Sequence, residues 1–138
     1  MELNLIGLAS AIPTFFGVWL GHVSVRKIER EVERIWIPST VSLLLGIGLE
    51  LTSIWTSSRN LSTIYGIVGV TLLWDSLEFY RQEKRITKGH APANPNNPRH
   101  ARILGARPGA TTFDWLSRDP RGVPYSSEEL DLMKERTA

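Results

Sequence analysis

Three apolar runs of bilayer-spanning length fill the first part of the chain, and they constrain its fold more than any other feature. The runs cover about residues 3–25, 36–57 and 61–78, and the first has no Asp, Glu, Lys or Arg. A transmembrane helix needs about 20 consecutive, mostly apolar residues. The second run is interrupted only by Glu50, and the third meets Asp75 and Glu78 near its end. We therefore predict an all-α integral membrane protein with three transmembrane helices.

Averages over the whole chain conceal this pattern. The mean hydropathy of −0.10 and the charged fraction of 22% are those of an ordinary soluble protein. The alternative is a soluble helical bundle, which would have to bury two runs of spanning length within 138 residues. Small domains have too little interior for that. The start Met1-Glu2 is acidic, unlike a signal peptide, so we expect the first run to be a retained span.

The distribution of basic residues predicts an orientation. Among the 16 Lys and Arg residues, only Arg59 falls between the second and third runs. The others lie between the first two runs or after the third, which is the same side if all three runs cross the bilayer. Basic loops stay in the cytoplasm. We predict a multi-pass protein of the bacterial plasma (inner) membrane, with its N-terminus outside and its C-terminus cytoplasmic.

Two domains follow from this pattern, a transmembrane helical domain over 1–90 and a linker with a tail over 91–138. Residues 25–35 are charged and amphipathic, so we expect an interfacial helix there with its basic side chains at anionic lipid headgroups of the cytoplasmic face. The third helix should continue to a stop at Gly89. Prolines and asparagines then predict an extended linker.

The tail carries more apolar side chains than a solvated segment requires. Ser126 and Glu129 have capping-box spacing and predict a helix over 127–136. We expect the tail to dock on a partner protein, a solvated tail being the alternative. The candidate docking residues are Phe113, Trp115, Leu116, Tyr125, Leu130 and Met133.

Ionisable residues in or beside the apolar runs are candidate interaction sites, because a charge in a membrane is costly. Glu50 has three open interpretations: a proton or ion site, a partner for a basic residue of a neighbouring subunit, or a position near the outer headgroups. His22, Asp75 and Glu78 should meet at the cytoplasmic boundary, close to Lys27, as a small charged cluster.

Glycines in the runs predict close helix packing, within the chain or between chains. The chain has no cysteine, and its three histidines lack a metal-ligand spacing. We predict no catalytic residues, no enzyme activity, no cofactor, no metal ion and no nucleic-acid partner. The helix-packing candidates are Gly17, Gly21, Gly46, Gly66 and Gly69.

The end of the third run and the stretch after it carry a specific pattern: a tryptophan, a glutamate one turn on, a glutamine with basic residues, Lys-Gly and then Pro-x-Asn-Pro. The positions are Trp74, Glu78, Gln82, Arg85, Lys88, Gly89, Pro92, Asn94 and Pro95. This pattern resembles the end of a family of small bacterial membrane proteins, catalogued as domain of unknown function forty-four ninety-one. Earlier, His22, Lys27 and Glu29 are similar to the turn between the family's first two spans, although Val23 stands where the family has proline. The resemblance covers about residues 4–98. It implies about three membrane helices and no known activity.

The first functional hypothesis is a non-catalytic accessory subunit of a larger membrane complex. Its partners would be other membrane protein subunits and membrane lipids, and a respiratory or photosynthetic complex is suggested by analogy alone. The alternative is a small ion- or solute-handling oligomer, a transporter or channel that uses Glu50. A third reading is a membrane-surface regulator whose basic segments bind anionic lipid.

Overall fold

The computed structural model of the chain describes residues 5–114 and 126–137. In this part of the chain all regular structure is helical. The helices are α1 (Ile6–Glu31), α2 (Trp36–Trp55), α3 (Arg59–Thr87), α4 (Pro98–Ala106) and α5 (Ser127–Thr137). The chain divides into two compact units, Met1–Glu83 and Lys84–Ala138, and the division falls within α3. We refer to them as the three-helix unit and the C-terminal unit.

Two helices of the three-helix unit, α1 and α2, are long and apolar enough to cross a membrane. They have 26 and 20 residues, and at 1.5 Å per residue they extend about 39 and 30 Å. The hydrocarbon core of a bilayer is about 30 Å thick. α3 is longer still, but it mixes apolar with polar residues such as Asn60, Ser62 and Asp75 along its length.

The connection between α1 and α2 differs from the sequence prediction of a separate interfacial helix over 25–35. α1 instead runs without interruption to Glu31. No glycine or proline between Gly21 and Val32 breaks its backbone hydrogen bonds, so the amphipathic stretch is the last part of α1. Val32 is extended, with φ −81° and ψ 129°, and ends the helix. The chain reverses within a few residues, and α2 starts at Trp36.

The interior of the three-helix unit includes a small apolar cluster where its helices meet. Val25 of α1, Ile35 at the start of α2 and Phe79 of α3 are all buried and in mutual contact. Burying a side chain of this size stabilises a fold by roughly 1.5–3 kcal/mol. The cluster holds together the helix ends that surround the turn between α1 and α2.

The C-terminal unit has its own core, which forms where the last turn of α3 meets α4. Ile86, Ala91 and Ala93 are buried, and Ile103 and Leu104 of α4 pack against them. The sequence pattern predicts an extended linker over residues 91–98 and does not predict α4. The prolines do keep this stretch irregular, but its alanines are small enough to pack into a compact core. α4 then starts where Asn97 caps it, its Oδ1 accepting a hydrogen bond from the Arg99 N–H at 2.9 Å.

Two further sequence predictions are confirmed in this region. α3 ends at Thr87, and Gly89 adopts a positive φ of 69°. The Gly89 N–H donates to the Ile86 carbonyl at 2.9 Å and the His90 N–H to the Arg85 carbonyl at 2.8 Å, which is a Schellman motif.

α5 begins with the expected reciprocal capping box. The Ser126 N–H donates to Glu129 Oε2 at 2.7 Å and the Glu129 N–H to Ser126 Oγ at 3.3 Å.

The glycine at the end of α3 gives a testable prediction about the C-terminal unit. Gly89→Ala should destabilise it by about 1–2 kcal/mol, because an L side chain is strained at this positive φ. Gly105→Ala in α4 is the matched control. Nothing lies within 4 Å of a Cβ at that position, so helix propensity should stabilise it by roughly 0.5–1 kcal/mol.

The measurement is amide hydrogen exchange of residues 86–106 in the purified full-length protein. Protection should fall in Gly89→Ala and be kept or rise in Gly105→Ala. Equal protection in both variants would mean that the turn at Gly89 does not limit the stability of this unit.

Candidate functional site

The contact between α2 and α3 begins and ends with serine hydrogen bonds. Near one end, Ser39 Oγ donates to the Ser76 carbonyl oxygen at 2.8 Å. Near the other end, Ser53 Oγ donates to the Ser62 carbonyl at 2.8 Å, and Ser62 Oγ donates to the Ser53 carbonyl at 2.9 Å. Early residues of α2 therefore meet late residues of α3, so the two helices are antiparallel. Side chain to backbone bonds of this kind need closely spaced helices.

Glycine permits that close spacing in the middle of the contact. A Cβ on Gly46 would lie 2.8 Å from Leu73 and 3.0 Å from the Gly69 carbonyl oxygen. The contact residues of α3 repeat at intervals of four and three, and those of α2 follow the matching pattern, as in a left-handed helix pair. On α3 they are Ser62, Gly66, Gly69, Leu73 and Ser76, and on α2 they are Ser39, Gly46, Glu50 and Ser53.

Glu50 points from α2 towards α3. A Cβ on Gly69 would lie 2.8 Å from Glu50 Oε1, and one on Gly66 would lie 4.0 Å from Oε2. The carboxyl group thus lies in the space that Gly66 and Gly69 leave free on α3. It lies five residues before the last residue of α2, Trp55, which is about 8 Å along the axis. In the described part of the chain it has no hydrogen-bond or ion-pair partner.

The contact between α1 and α3 follows a second face of α3. A Cβ on Gly17 would lie 3.2 Å from Thr71 Oγ1, and one on Gly21 would lie 2.8 and 2.9 Å from the two Asp75 carboxylate oxygens. The paired residues rise together along both helices, so α1 and α3 are parallel. The Gly17-x-x-x-Gly21 pattern therefore packs against a neighbour within the chain, and Asp75 rests on the backbone of α1.

The predicted cluster at the end of the spans is partly assembled around Asp75. His22 and Glu78 both act electrostatically on the Asp75 carboxylate, and His22 shares the wall of a cavity of about 240 Å³ with Asp75 and Trp74. Glu78 is buried and forms an ion pair with Arg81, Nε to Oε2, at 3.2 Å. The Arg81 guanidinium also lies 5.3 Å from the centre of the Trp74 ring.

Lys27 and Glu29, the two other residues of this candidate set, have different environments. The Lys27 side chain is exposed, whereas Glu29 is 1% exposed although it follows only two residues later. The alternation of charges in this stretch gives no sequence signal for the burial of Glu29. Its burial marks the last turns of α1 as more than a solvated connector.

A larger cavity of about 350 Å³ opens between α1, α2 and α3. Most of its lining is apolar, with Phe16 and Leu20 from α1 and Leu72 and Phe79 from α3. Asp75 reaches this cavity as well as the smaller one. Its carboxylate is therefore a shared wall between two spaces on either side of the α1–α3 contact.

The C-terminal unit contains a buried polar network around His100, which is not among the site residues predicted from the sequence. His100 is fully buried, and its Nδ1 accepts a hydrogen bond from the Asn94 N–H at 2.9 Å. Arg99 Nη2 lies 2.9 Å from His100 Nε2. The Thr111 carbonyl accepts from the Ala93 N–H at 2.8 Å. A polar core this small produces no periodic pattern in the sequence. The only sequence signal for this network is Asn94, which is one of the positions that match the family resemblance.

The predicted docking residues of the tail are only partly within the described residues. Phe113 and Met133 are half-buried, and Leu130 is exposed at 44%. Trp115, Leu116 and Tyr125 lie outside the described residues. Within the described ranges, no group of three or more His, Asp or Glu side chains is placed to hold a metal ion.

Comparison with known proteins gives one family. The sequence profile described as Domain of unknown function (DUF4491) matches residues 4–97. This range includes all of α1, α2 and α3 and ends just before α4. No curated protein and no solved structure matches the chain.

The glycine contacts give a prediction about the stability of the three-helix unit. Gly46→Ala should destabilise it by about 1–3 kcal/mol, because the new methyl group meets the Gly69 carbonyl, which is backbone and cannot move aside. Gly48→Ala, two residues along the same helix, is the control. Nothing lies within 4 Å of a Cβ there, so this variant should be neutral or slightly stabilised.

Both variants can be compared by titrating the purified protein from mild detergent into sodium dodecyl sulfate and following helix loss by circular dichroism. The midpoint should shift only for Gly46→Ala. A shift of the same size for Gly48→Ala would show that glycine is needed for reasons other than the α2–α3 contact.

Proposed function

This chain belongs to the family described as Domain of unknown function (DUF4491), and from its geometry we propose that it is a membrane-embedded, non-catalytic accessory subunit of a larger membrane protein complex. The observation that carries the proposal is the placement of side-chain types in the three-helix unit. Apart from the buried cluster of Val25, Ile35 and Phe79, glycines, serines and carboxyl groups make most contacts between the helices, while most large apolar side chains face outwards. This arrangement is the reverse of a water-soluble bundle, whose large apolar residues face inwards.

The outward residues are numerous and large. Phe15 is 68% exposed, Leu44 63%, Ile54 75% and Trp55 80%. A soluble monomer rarely exposes a contiguous apolar surface of this extent. In a bilayer such side chains contact lipid tails or neighbouring helices, and small residues mediate the close helix contacts. The side-chain distribution therefore supports membrane embedding independently of helix length.

The contacts of α3 support a third span. Between Ser62 and Ser76 this helix lies beside α2 over almost the full length of α2. If α1 and α2 cross the bilayer, this segment of α3 has the same depth. Arg59 then lies at the opposite end of the unit from the basic residues that follow Val25 and Tyr80. The proposal accordingly keeps the orientation with the N-terminus outside and the C-terminus in the cytoplasm of a bacterial inner membrane.

An outward notch on α2 supports a role in binding other subunits. Gly48 has nothing within 4 Å of its Cβ position, in contrast to Gly46. Thr52, one turn later, is also exposed, and its hydroxyl is satisfied by the Gly48 carbonyl at 2.8 Å. Gly48 and Thr52 form a small-x-x-x-small pattern directed away from the chain's own contacts. Such a pattern lets a helix of another protein approach closely.

The partner test is a purification from native membranes in mild detergent through an affinity tag, followed by mass spectrometry. We expect one or a few membrane proteins in fixed stoichiometry. Gly48→Leu should abolish their recovery by filling the notch, while the dodecyl sulfate midpoint stays unchanged. Ile54→Ala, which alters an outward side chain beyond the notch, is the control and should keep the partner.

Removal of residues 115–138 tests the tail in the same experiment. This deletion removes none of the described core residues of the C-terminal unit, and it keeps α4 and the bond from the Ala93 N–H to the Thr111 carbonyl. Reduced recovery of the partner would assign docking to the tail. A wild-type protein that always purifies alone or as a homo-oligomer contradicts the accessory-subunit proposal.

The alternative function is an ion- or solute-handling oligomer that uses Glu50. One observation favours it: a carboxyl group, that of Glu50, interrupts the otherwise uncharged helix α2. However, Glu50 points at Gly69 of its own chain, so a ring of Glu50 side chains around a pore between copies would require α2 to rotate. Loss of an ion flux in proteoliposomes on Glu50→Gln would favour this alternative, and lost partner recovery with unchanged flux would favour the first proposal.

The orientation can be tested directly because the chain contains no cysteine. Ser57→Cys, between α2 and α3, should react with a membrane-impermeant maleimide added to intact cells. Ser126→Cys, at the start of α5, should react only after the cells are permeabilised. Labelling of Ser126→Cys in intact cells would contradict the proposed orientation. Labelling of both sites in intact cells would place them on the same side of the membrane, which would mean that α3 does not cross it and would contradict three spans.

A further inference from the structure

The cavity of about 350 Å³ in the three-helix unit has the size of a small-molecule site. Pockets that bind organic ligands are mostly apolar, have volumes of about 300–1,000 Å³ and contain a few polar groups that fix the ligand. Along α1 the lining extends from Pro13 to Ile28, which is about 22 Å of helix. The space is thus long and narrow, a shape that suits a flexible apolar chain better than a compact ring system.

The ionisable part of the cavity lining is acidic. Among the described residues that line the cavity, Asp75 is the only ionisable side chain, and none is Lys, Arg or His. The hydroxyl groups of Ser24, Ser42 and Thr71 are its other polar side chains. Asp75 lies opposite Gly21, near the middle of the groove, with apolar surface on both sides. A ligand that fills the groove therefore meets a carboxylate part of the way along its length.

The carboxylate has no hydrogen bond or ion pair from the described residues, although His22 and Glu78 act on it electrostatically. His22 lies on the other side of the α1–α3 contact, in the smaller cavity. Glu78 is itself paired with Arg81. A carboxylate bordering an apolar space is stabilised when a cation reaches it from that space, because the interaction strengthens as water is excluded.

We propose that this cavity binds a lipophilic organic cation, an amine or quaternary ammonium with at least one alkyl chain, whose charged nitrogen is held at the Asp75 carboxylate. The apolar lining would bury the alkyl chain, at roughly 0.8 kcal/mol per methylene group for complete burial. Neutral and anionic amphiphiles would gain the same burial without the ion pair. Charge selectivity at constant chain length is therefore the signature of the site, and it does not depend on the accessory-subunit function.

The test uses the full-length protein in maltoside micelles and three probes with the same octyl chain: octyltrimethylammonium, octanol and nonanoate. Equilibrium dialysis of radiolabelled probe, corrected for empty micelles, gives the dissociation constants. We expect saturable binding of the ammonium probe alone. Asp75→Asn should weaken it by about tenfold or more, as loss of a charged partner does.

Three further variants make the result specific. Glu50→Gln, a matched half-buried carboxyl that does not line the cavity, should change the constant by less than about twofold, as expected for a site with no contact to the ligand. His22→Gln should keep binding, because His22 does not border this space. Ser42→Phe should abolish binding by filling the cavity while Asp75 remains in place. Circular dichroism and gel filtration show whether each variant is folded.

Several outcomes would overturn the proposal. Equal retention of all three probes would mean that the groove takes up any alkyl chain. Unchanged ammonium binding in folded Asp75→Asn or Ser42→Phe would move the site elsewhere. Loss of binding in His22→Gln to the same degree as in Asp75→Asn would show that a His22–Asp75 pair maintains the helix contact and that the cavity itself selects no cation.

Discussion

The close approach of α3 to both of its neighbours is the constraint on which the three-helix unit depends. At Gly21, Gly46 and Gly69 a single methyl group would meet a carboxylate, a side chain or a backbone carbonyl at about 3 Å or less. Apart from the cluster of Val25, Ile35 and Phe79, close packing of backbones holds these helices together more than burial of large side chains does. In an apolar environment no water competes for the serine hydrogen bonds to carbonyl oxygens, which add to the dispersion contacts between the helices. Most of the large side chains then face outwards.

This packing also gives two carboxyl groups of the unit, those of Glu50 and Asp75, a common environment. Glu50 rests on Gly69 and Asp75 rests on Gly21, each on the backbone of a neighbouring helix. The difference between them is what lies beside the carboxyl group. Glu50 packs on glycines of α3 and lines neither of the two cavities, whereas Asp75 borders both. A ligand in the larger cavity can therefore contact Asp75 but not Glu50, which is why the cation site is assigned to Asp75.

The sequence predicts the helices far better than it predicts their surroundings. Long apolar runs, the stop at Gly89 and the Ser126–Glu129 capping box are local signals, and each corresponds to a described element. The residue that a glycine packs against is determined by contacts between residues that are distant in the sequence. The sequence therefore predicts Gly17 as a helix-packing position but does not reveal that it packs against Thr71. An interfacial helix was predicted over 25–35, but no glycine or proline there separates this stretch from the first span, and it continues α1 to Glu31. The family resemblance covered Asn94 without revealing that its neighbourhood forms a buried polar core.

The spacing of contact residues on α3 limits how the chain's length can change. Ser62, Gly66, Gly69, Leu73 and Ser76 form one register against α2, and Thr71 and Asp75 form another against α1. Insertion of one residue in the middle of α3 would rotate everything beyond it by about 100°, so both contacts would fail together. An insertion of seven residues returns the faces to within about 20° of alignment, but it moves everything beyond it by about 10 Å along the axis. Homologous chains should therefore vary in length at the ends and turns of these helices, or by whole heptads that are inserted in all three helices together.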